Sequence, residues 1–164
     1  MDPDVLDPWR DFYVATAGAS AALAGLIIVA MSVNISRIIE AKTLPSRAAA
    51  AIAGLLLALI VACIGLMPAQ SALWFGTEIL AGTLLAALFQ VQAMRVLATD
   101  EATGRAMRWM RMLPGMLPLV SFFVGGSLIA DANIAGLYWV AAGILLAIVV
   151  SVLFAWVALV EILR

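Results

Sequence analysis

Five long runs of apolar residues, separated by short polar connections, dominate the pattern of this 164-residue chain. Each run has enough residues to cross a hydrocarbon layer of ~30 Å as a helix that rises ~1.5 Å per residue. The pattern therefore predicts an all-α fold, an integral membrane helical bundle with five transmembrane helices. The predicted spans cover residues 12–33, 47–67, 73–95, 112–130 and 136–163.

Composition supports lipid as the solvent of these runs. Hydrophobic residues make up 66% of the chain and charged residues 12%, with a mean hydropathy of +1.15. Soluble domains are about half apolar and about a quarter charged. The connections are too short for a soluble domain, so we expect residues 12–164 to form a single transmembrane domain behind an acidic tail at residues 1–11.

The charged residues are distributed unevenly between the two ends of the predicted bundle. One end carries only Arg10 and most of the acidic residues, among them the four aspartates of the tail. By the positive-inside rule, the other end lies in the cytoplasm, with basic loops at residues 34–46 and 96–111. We expect a multi-pass protein of the plasma membrane with its N-terminus outside and its C-terminus inside. The basic residues of the cytoplasmic end are Arg37, Lys42, Arg47, Arg95, Arg105, Arg108, Arg111 and Arg164.

The fourth run is the least regular of the five. Pro114, Gly115 and Pro118 interrupt its first half, and the pair Gly125-Gly126 loosens its second half. A broken helix of this kind can mark a transport site, although proline and glycine are also common as simple kinks in membrane helices. A re-entrant loop here would place the C-terminus outside. We expect a full span.

Small residues recur at helical spacing in several runs. This pattern allows helix backbones to approach closely in lipid, either within one chain or between chains. The positions predicted to serve in helix packing are Gly18, Gly25, Gly54, Ala58, Gly143 and Ala147.

Arginines recur at every third position in the longest connection, beside methionines and Trp109. The spacing is typical of an amphipathic helix on the membrane surface that contacts anionic lipid headgroups at the cytoplasmic face. An ordinary positive loop with one tryptophan anchor is the alternative interpretation. The predicted lipid contacts are Arg105, Arg108 and Arg111.

One polar face stands out in the third run. Glu78 is the only ionisable residue well inside any run, and Gly82, Ala86 and Gln90 follow it at intervals of four, on one helix face. Glu78 is either a boundary carboxyl that reaches headgroup water or a desolvated carboxyl that lines a polar path. Gln90, ~18 Å farther along the axis, either continues that path or hydrogen-bonds a neighbouring helix.

The residues needed for common catalytic sites are missing. The chain has no histidine, so serine–histidine pairs, HExxH zinc sites and histidine-ligated haem are excluded. Its one cysteine, Cys63, cannot form an intrachain disulfide and is predicted to be a packing residue. We expect no enzyme activity, no cofactor and no metal site, and the net charge of −1 suggests no nucleic-acid partner.

The sequence resembles small bacterial multi-pass membrane proteins of unassigned function, a resemblance that transfers no activity. It rests on Trp9–Tyr13, on the small-residue stretch Gly18–Ile28 and on Met67–Gln70. Residues Ser20–Met31 and Gly82–Leu85 are similar to stretches of Orai calcium channels. Here Val33 occupies the place of the channel's selectivity carboxylate, and the charge distribution reverses the direction of the first span.

Two functional hypotheses follow. In the first, the chain forms an oligomeric channel or transporter-like conduit for an ion, a proton or a small solute. The polar face of Glu78, Gly82, Ala86 and Gln90 would line it. A homo-oligomer is expected, because five helices of this length hardly enclose a path alone. In the second, the chain is a non-conducting accessory or assembly subunit that packs on another membrane protein.

Overall fold

The computed structural model describes residues 5–99 and 105–163, with side chains described for residues 5–99 and 113–160. The described residues are almost entirely helical and contain no strand. A short 3₁₀ turn, Asp7–Trp9, leads into the first helix. The helices are α1 (Arg10–Val33), α2 (Ile35–Glu40), α3 (Leu44–Gly65), α4 (Ala72–Ala98), α5 (Arg105–Ala130) and α6 (Ala135–Leu163).

Five of these helices are long and apolar enough to cross a membrane, as predicted. The helix α2 is too short to do so and lies in the connection between α1 and α3. Local sequence explains where two of the helices begin. Pro45 lies in the first turn of α3, a position that proline favours. The Ser71 hydroxyl caps the start of α4 by accepting a hydrogen bond from the backbone N–H of Trp74. The observed helices differ from the predicted runs by a few residues at each end, except at the start of α5.

The helices pack mainly as neighbours around α3. This helix contacts α1, α4 and α6, while α5 packs between α4 and α6. The helix α1 is peripheral, because most of its contacts are with α3 and few are with α6. The ends of the bundle are named here by their charges: the basic end holds Arg37, Lys42 and Arg95, and the acidic end holds Glu78 and Asp131.

The protein core and the outer surface are both apolar. Large side chains such as Tyr13, Phe75 and Phe122 are fully buried between helices. At the same time Leu26 and Trp74 are about two-thirds exposed, and similar apolar side chains face outward on every long helix. Such a surface is compatible with a lipid environment and unlike that of a soluble domain.

The helix α5 is continuous, which agrees with the expected full span and not with a broken helix. Pro114 and Pro118 lie inside an uninterrupted helix. The glycine pair tightens the fold, because Gly126 faces the backbone of α4 at Gly76 and Gly125 faces the backbone of α6 at Gly136. These close contacts pack α5 against both neighbours at the glycine pair, where the sequence alone suggested loosening.

Two further expectations change with the structure. The backbone from Arg105 onward is the first part of α5, so it is neither a separate surface helix nor a loop. Cys63 is exposed on α3, so it is not a packing residue, because it lies on the side of the helix away from its neighbours.

Candidate functional site

Glu78 lies at the acidic end of the bundle and is exposed. Its carboxylate accepts a hydrogen bond of 2.6 Å from the side-chain amide of Gln70, in the connection before α4. Phe75 and Ile79, on the same turns of α4, are buried against the bundle, so Glu78 lies on the outward side of the helix. This is the geometry of a boundary carboxyl held by a loop amide.

The other members of the polar face lie in a different environment. Ala86 is buried, while Gly82 and Gln90 are half-buried. Gly82 faces α3, where a Cβ added to it would stand 2.8 Å from Leu57 Cδ1. Gly82, Ala86 and Gln90 therefore face protein, whereas Glu78 faces outward. The structure does not bring Glu78 and Gln90 together within one chain.

Gln90 borders a cavity of about 380 Å³ between α3, α4, α5 and α6, called the central cavity here. This volume lies in the range of small-molecule sites, about 300–1,000 Å³. Most of its wall is apolar, and its polar side chains are Arg47, Gln90 and Ser151. The residues that line it lie in the half of the bundle near the basic end.

The Gln90 amide forms no hydrogen bond with any other side chain or backbone group that the structure describes. Its carboxamide lies so close to Gly115 that a Cβ there would collide with it. A half-buried amide in an apolar wall gains free energy from a hydrogen bond, so this group favours a polar ligand.

Helix α5 adds a second polar group to the same wall. Pro118 has no N–H, so the carbonyl of Pro114 cannot accept the usual helical hydrogen bond. Both prolines and Gly115 line the central cavity. The irregular part of the fourth run therefore borders the cavity as a helix with a freed backbone acceptor.

Arg47 on α3 and Ser151 on α6 are polar residues that line the central cavity. The guanidinium carbon of Arg47 lies 5.5 Å from the centroid of the Phe154 ring, a cation–π distance. The Ser151 hydroxyl donates to the carbonyl of Ala51 across the helix pair, at 3.2 Å. Ser151 is thus bonded within the wall, and the other polar side chains that line the cavity are Arg47 and Gln90.

The central cavity is closed toward the acidic end. Leu57 and Phe122 form its far wall, and both are buried. Beyond them Ile79 and Phe75 are completely buried on α4, and the Thr83 hydroxyl donates to the carbonyl of Ile79. No polar side chain described by the structure connects the Gln90 region with Glu78 through this apolar layer.

The predicted packing positions fall in two groups. Ala58 and Ala147 are buried, and Gly143 lies against the ring of Phe122. At Gly18, Gly25 and Gly54 an added Cβ would have no neighbour within 4 Å. Gly54 borders the central cavity, and the two α1 glycines are exposed, so contact between copies at α1 stays a prediction.

The arginines predicted to contact anionic lipid are partly outside the described region. The backbone of Arg105, Arg108 and Arg111 belongs to the first turns of α5, but their side chains lie outside the described residues. Their contact with lipid headgroups stays a prediction.

The sequence interpretation missed several residues. The sequence interpretation treats Arg47 only as a charge of the connection and does not consider Phe154. The two side chains contact each other, and both line the central cavity. A buried hydroxyl row on α1, comprising Tyr13, Thr16 and Ser20, was missed as well. Their spacing of three and four residues was visible in the sequence as one helix face, opposite the small residues that were noticed.

Comparison with family models, with curated proteins and with solved structures returned no match. The architecture, with five candidate spanning helices, is that of a multi-pass membrane protein. Among the described residues, no group of three acidic or cysteine side chains is close enough to hold a metal ion.

Proposed function

We propose that the protein is a transporter-like membrane protein that binds a small amphipathic anion in the central cavity. The observation that carries this proposal is the Gln90 amide, which borders an apolar cavity and forms no hydrogen bond with the described residues. The proposal keeps the predicted solute-handling role and assigns its site to Gln90 and Arg47, with Glu78 outside it.

The chemistry of the ligand follows from the walls. Arg47 near the mouth favours an anionic group, and the side-chain NH₂ of Gln90 can donate a hydrogen bond to the same group. Leu57 and Phe122 at the closed end favour an alkyl chain. An anion with a short alkyl chain satisfies both parts, with its head toward the basic end.

The location supports uptake from one side. The positive-inside rule places the basic end in the cytoplasm, so the cavity would face the cytoplasmic leaflet of the plasma membrane. The closed layer at Leu57 and Phe122 would then separate the site from the outside. Release on the other side would require movement of these helices, as in alternating access.

The test is a titration of the purified full-length protein with decanesulfonate, a one-chain amphipathic anion, read by native mass spectrometry. We expect one saturable adduct. Gln90→Leu should weaken it about tenfold, because a hydrogen bond to a charged group is lost.

Gln92→Leu is the matched control for this experiment. Gln92 is an exposed glutamine on the same helix, two positions away, and does not border the cavity. Its substitution should leave the affinity unchanged. Absence of a saturable adduct, or equal weakening by both substitutions, would overturn the proposal.

The outward face of α1 favours the expected homo-oligomer. Ala15, Gly18, Ala22 and Gly25 are all exposed and recur at spacings of three and four. We propose that a second copy of the chain packs there, as small residues permit close helix contact.

Native mass in lipid nanodiscs tests this assembly. Wild type should be oligomeric, and Gly18→Leu should shift it toward monomer. Ala81→Leu, at an exposed position of α4, serves as the control. A wild type that is monomeric in both detergent and lipid would overturn it.

A further inference from the structure

A second cavity lies beside the central one. It has a volume of about 330 Å³ and is bounded by α1, α2, α3 and α6, and it is called the side groove here. Every side chain that lines it is apolar, from Leu23 and Ile27 on α1 to Ala158 and Leu159 on α6. The sparse contact between α1 and α6 leaves this space open. The groove can accept hydrocarbon and offers nothing to a polar group.

Phe154 is the wall between the two spaces. It lines both the central cavity and the side groove. Arg47 lies over its ring, and its neighbours in α3 divide between the two: Leu44 and Ala48 border the groove, while Ala51 borders the cavity. The guanidinium of Arg47 therefore lies beside the boundary between the central cavity and the side groove.

Both compartments have the depth of one lipid leaflet. Along α3 the cavity runs from Arg47 to Leu57, ~15 Å at the rise of a helix. On α1 the groove runs from Leu23 to Met31, ~12 Å by the same rise. A leaflet contributes about half of a hydrocarbon core of ~30 Å. Each compartment thus matches one acyl chain whose headgroup is at the basic end.

The charges at this end favour an anionic headgroup. Its described charged side chains are Arg37, Lys42, Arg47 and Arg95, with Glu40 as the one carboxylate. A phosphate is well matched to a guanidinium, which can donate two parallel hydrogen bonds.

We infer that the natural ligand of the site is an anionic two-chain phospholipid. Its phosphate pairs with Arg47, one chain fills the central cavity, and the other fills the side groove across Phe154. This inference rests on the proposed function and deepens it by naming the ligand class. A one-chain anion would use only the central cavity.

The experiment compares three defined lipids on the purified full-length protein by native mass spectrometry. They are phosphatidylglycerol, phosphatidylcholine and lysophosphatidylglycerol. Phosphatidylglycerol should bind about tenfold more tightly than phosphatidylcholine, by the charge of its headgroup, and about tenfold more tightly than the one-chain lipid.

Variants separate the headgroup from the chains. Arg47→Gln should abolish the preference for phosphatidylglycerol over phosphatidylcholine, and Arg10→Gln, at an exposed arginine of the opposite end, should keep it. Arg47→Lys keeps the positive charge and should retain part of the preference for phosphatidylglycerol. This variant still tests the role of the charge if Arg47→Gln fails to fold. Ala158→Leu fills the side groove and should weaken phosphatidylglycerol about tenfold, while decanesulfonate binding stays within about twofold.

The outcomes distinguish this inference from the proposed function. If decanesulfonate binds in a Gln90-dependent way but lysophosphatidylglycerol binds as tightly as phosphatidylglycerol, the inference is overturned and the function stands. Insensitivity of phosphatidylglycerol binding to Ala158→Leu overturns it in the same way. If decanesulfonate fails to bind while phosphatidylglycerol binds with dependence on Arg47 and Ala158, the lipid site stands and the small-solute function is overturned.

Discussion

The ring of Tyr13 lies directly against Gly65, so close that a Cβ at residue 65 would stand 2.9 Å from Tyr13 Cε2. This contact joins the start of α1 to the end of α3 at the acidic end. Nearby, Trp9 makes an edge contact with Phe12, and its ring centroid lies 5.0 Å from that of Tyr138 on α6. Aromatic side chains at the start of α1 thus pack against both α3 and α6.

The Tyr13 hydroxyl is buried and forms no hydrogen bond with the described residues. Because an unsatisfied buried hydroxyl is unfavourable, Tyr13→Phe should raise the free energy of unfolding by about 1 kcal/mol, or a few degrees in melting temperature. Thermal unfolding in detergent measures this. The control is Tyr138→Phe, at an exposed tyrosine of the same end, which should change stability by less than about 0.5 kcal/mol. Destabilisation by Tyr13→Phe would show that the hydroxyl has a partner.

Gly76 should tolerate no side chain. A Cβ at this position would stand 2.6 Å from the carbonyl oxygen of Gly126 and 2.5 Å from the backbone nitrogen of Ala130. Both neighbours are backbone atoms that cannot turn away, so Gly76→Ala should destabilise the protein by about 1–3 kcal/mol or more.

Gly54→Ala is the matched control, because an added Cβ there meets nothing within 4 Å. It should be neutral or stabilise by up to about 1 kcal/mol through helix propensity. Equal melting temperatures for the two variants would contradict the close approach of α4 and α5.

Glu78 should not control solute handling. It is exposed and lies ~18 Å along α4 from Gln90. We expect Glu78→Gln to leave decanesulfonate uptake into proteoliposomes unchanged, since the amide can still accept the hydrogen bond from Gln70. Gln90→Leu should reduce uptake in the same assay. Uptake that responds to Glu78→Gln would instead restore the joint path of Glu78 and Gln90 that the sequence suggested.

Orientation can be measured with single cysteines. On a Cys63→Ala background, Lys42→Cys and Thr99→Cys should react with a membrane-impermeant maleimide only after permeabilisation of cells. Asp131→Cys should react in intact cells. All three positions are exposed. Labelling that placed residues 42 and 99 on different sides would contradict the arrangement of five spanning helices.

Sequence patterns predicted the helices well because length and apolar content decide them. The start of α3 near Pro45 and the capping of α4 by Ser71 show that local chemistry sets the ends. The orientation rests on charge alone, and the structure does not show it.

The site was harder to predict, because a single sequence does not show which helix faces meet. Glu78 and Gln90 are spaced by fours on α4, yet only Gln90 borders the cavity. Each step of four residues turns ~40° around a helix, so the two side chains point ~120° apart. The glycines of α1 looked like packing positions but face outward, while Gly76, which packs against the backbone of α5, was not singled out. In a membrane helix both faces are apolar, so the usual contrast between core and surface is missing.

The glycine contacts have a mechanical consequence. At the acidic end α4, α5 and α6 touch backbone to backbone through Gly76, Gly126 and Gly136, whereas at the basic end the same helices are separated by the central cavity. The acidic end is therefore the more tightly packed end in this conformation, and any opening toward that side would first have to separate these glycine contacts. Amide exchange should accordingly begin in the turns of α4 around Gln90 and reach those around Gly76 last.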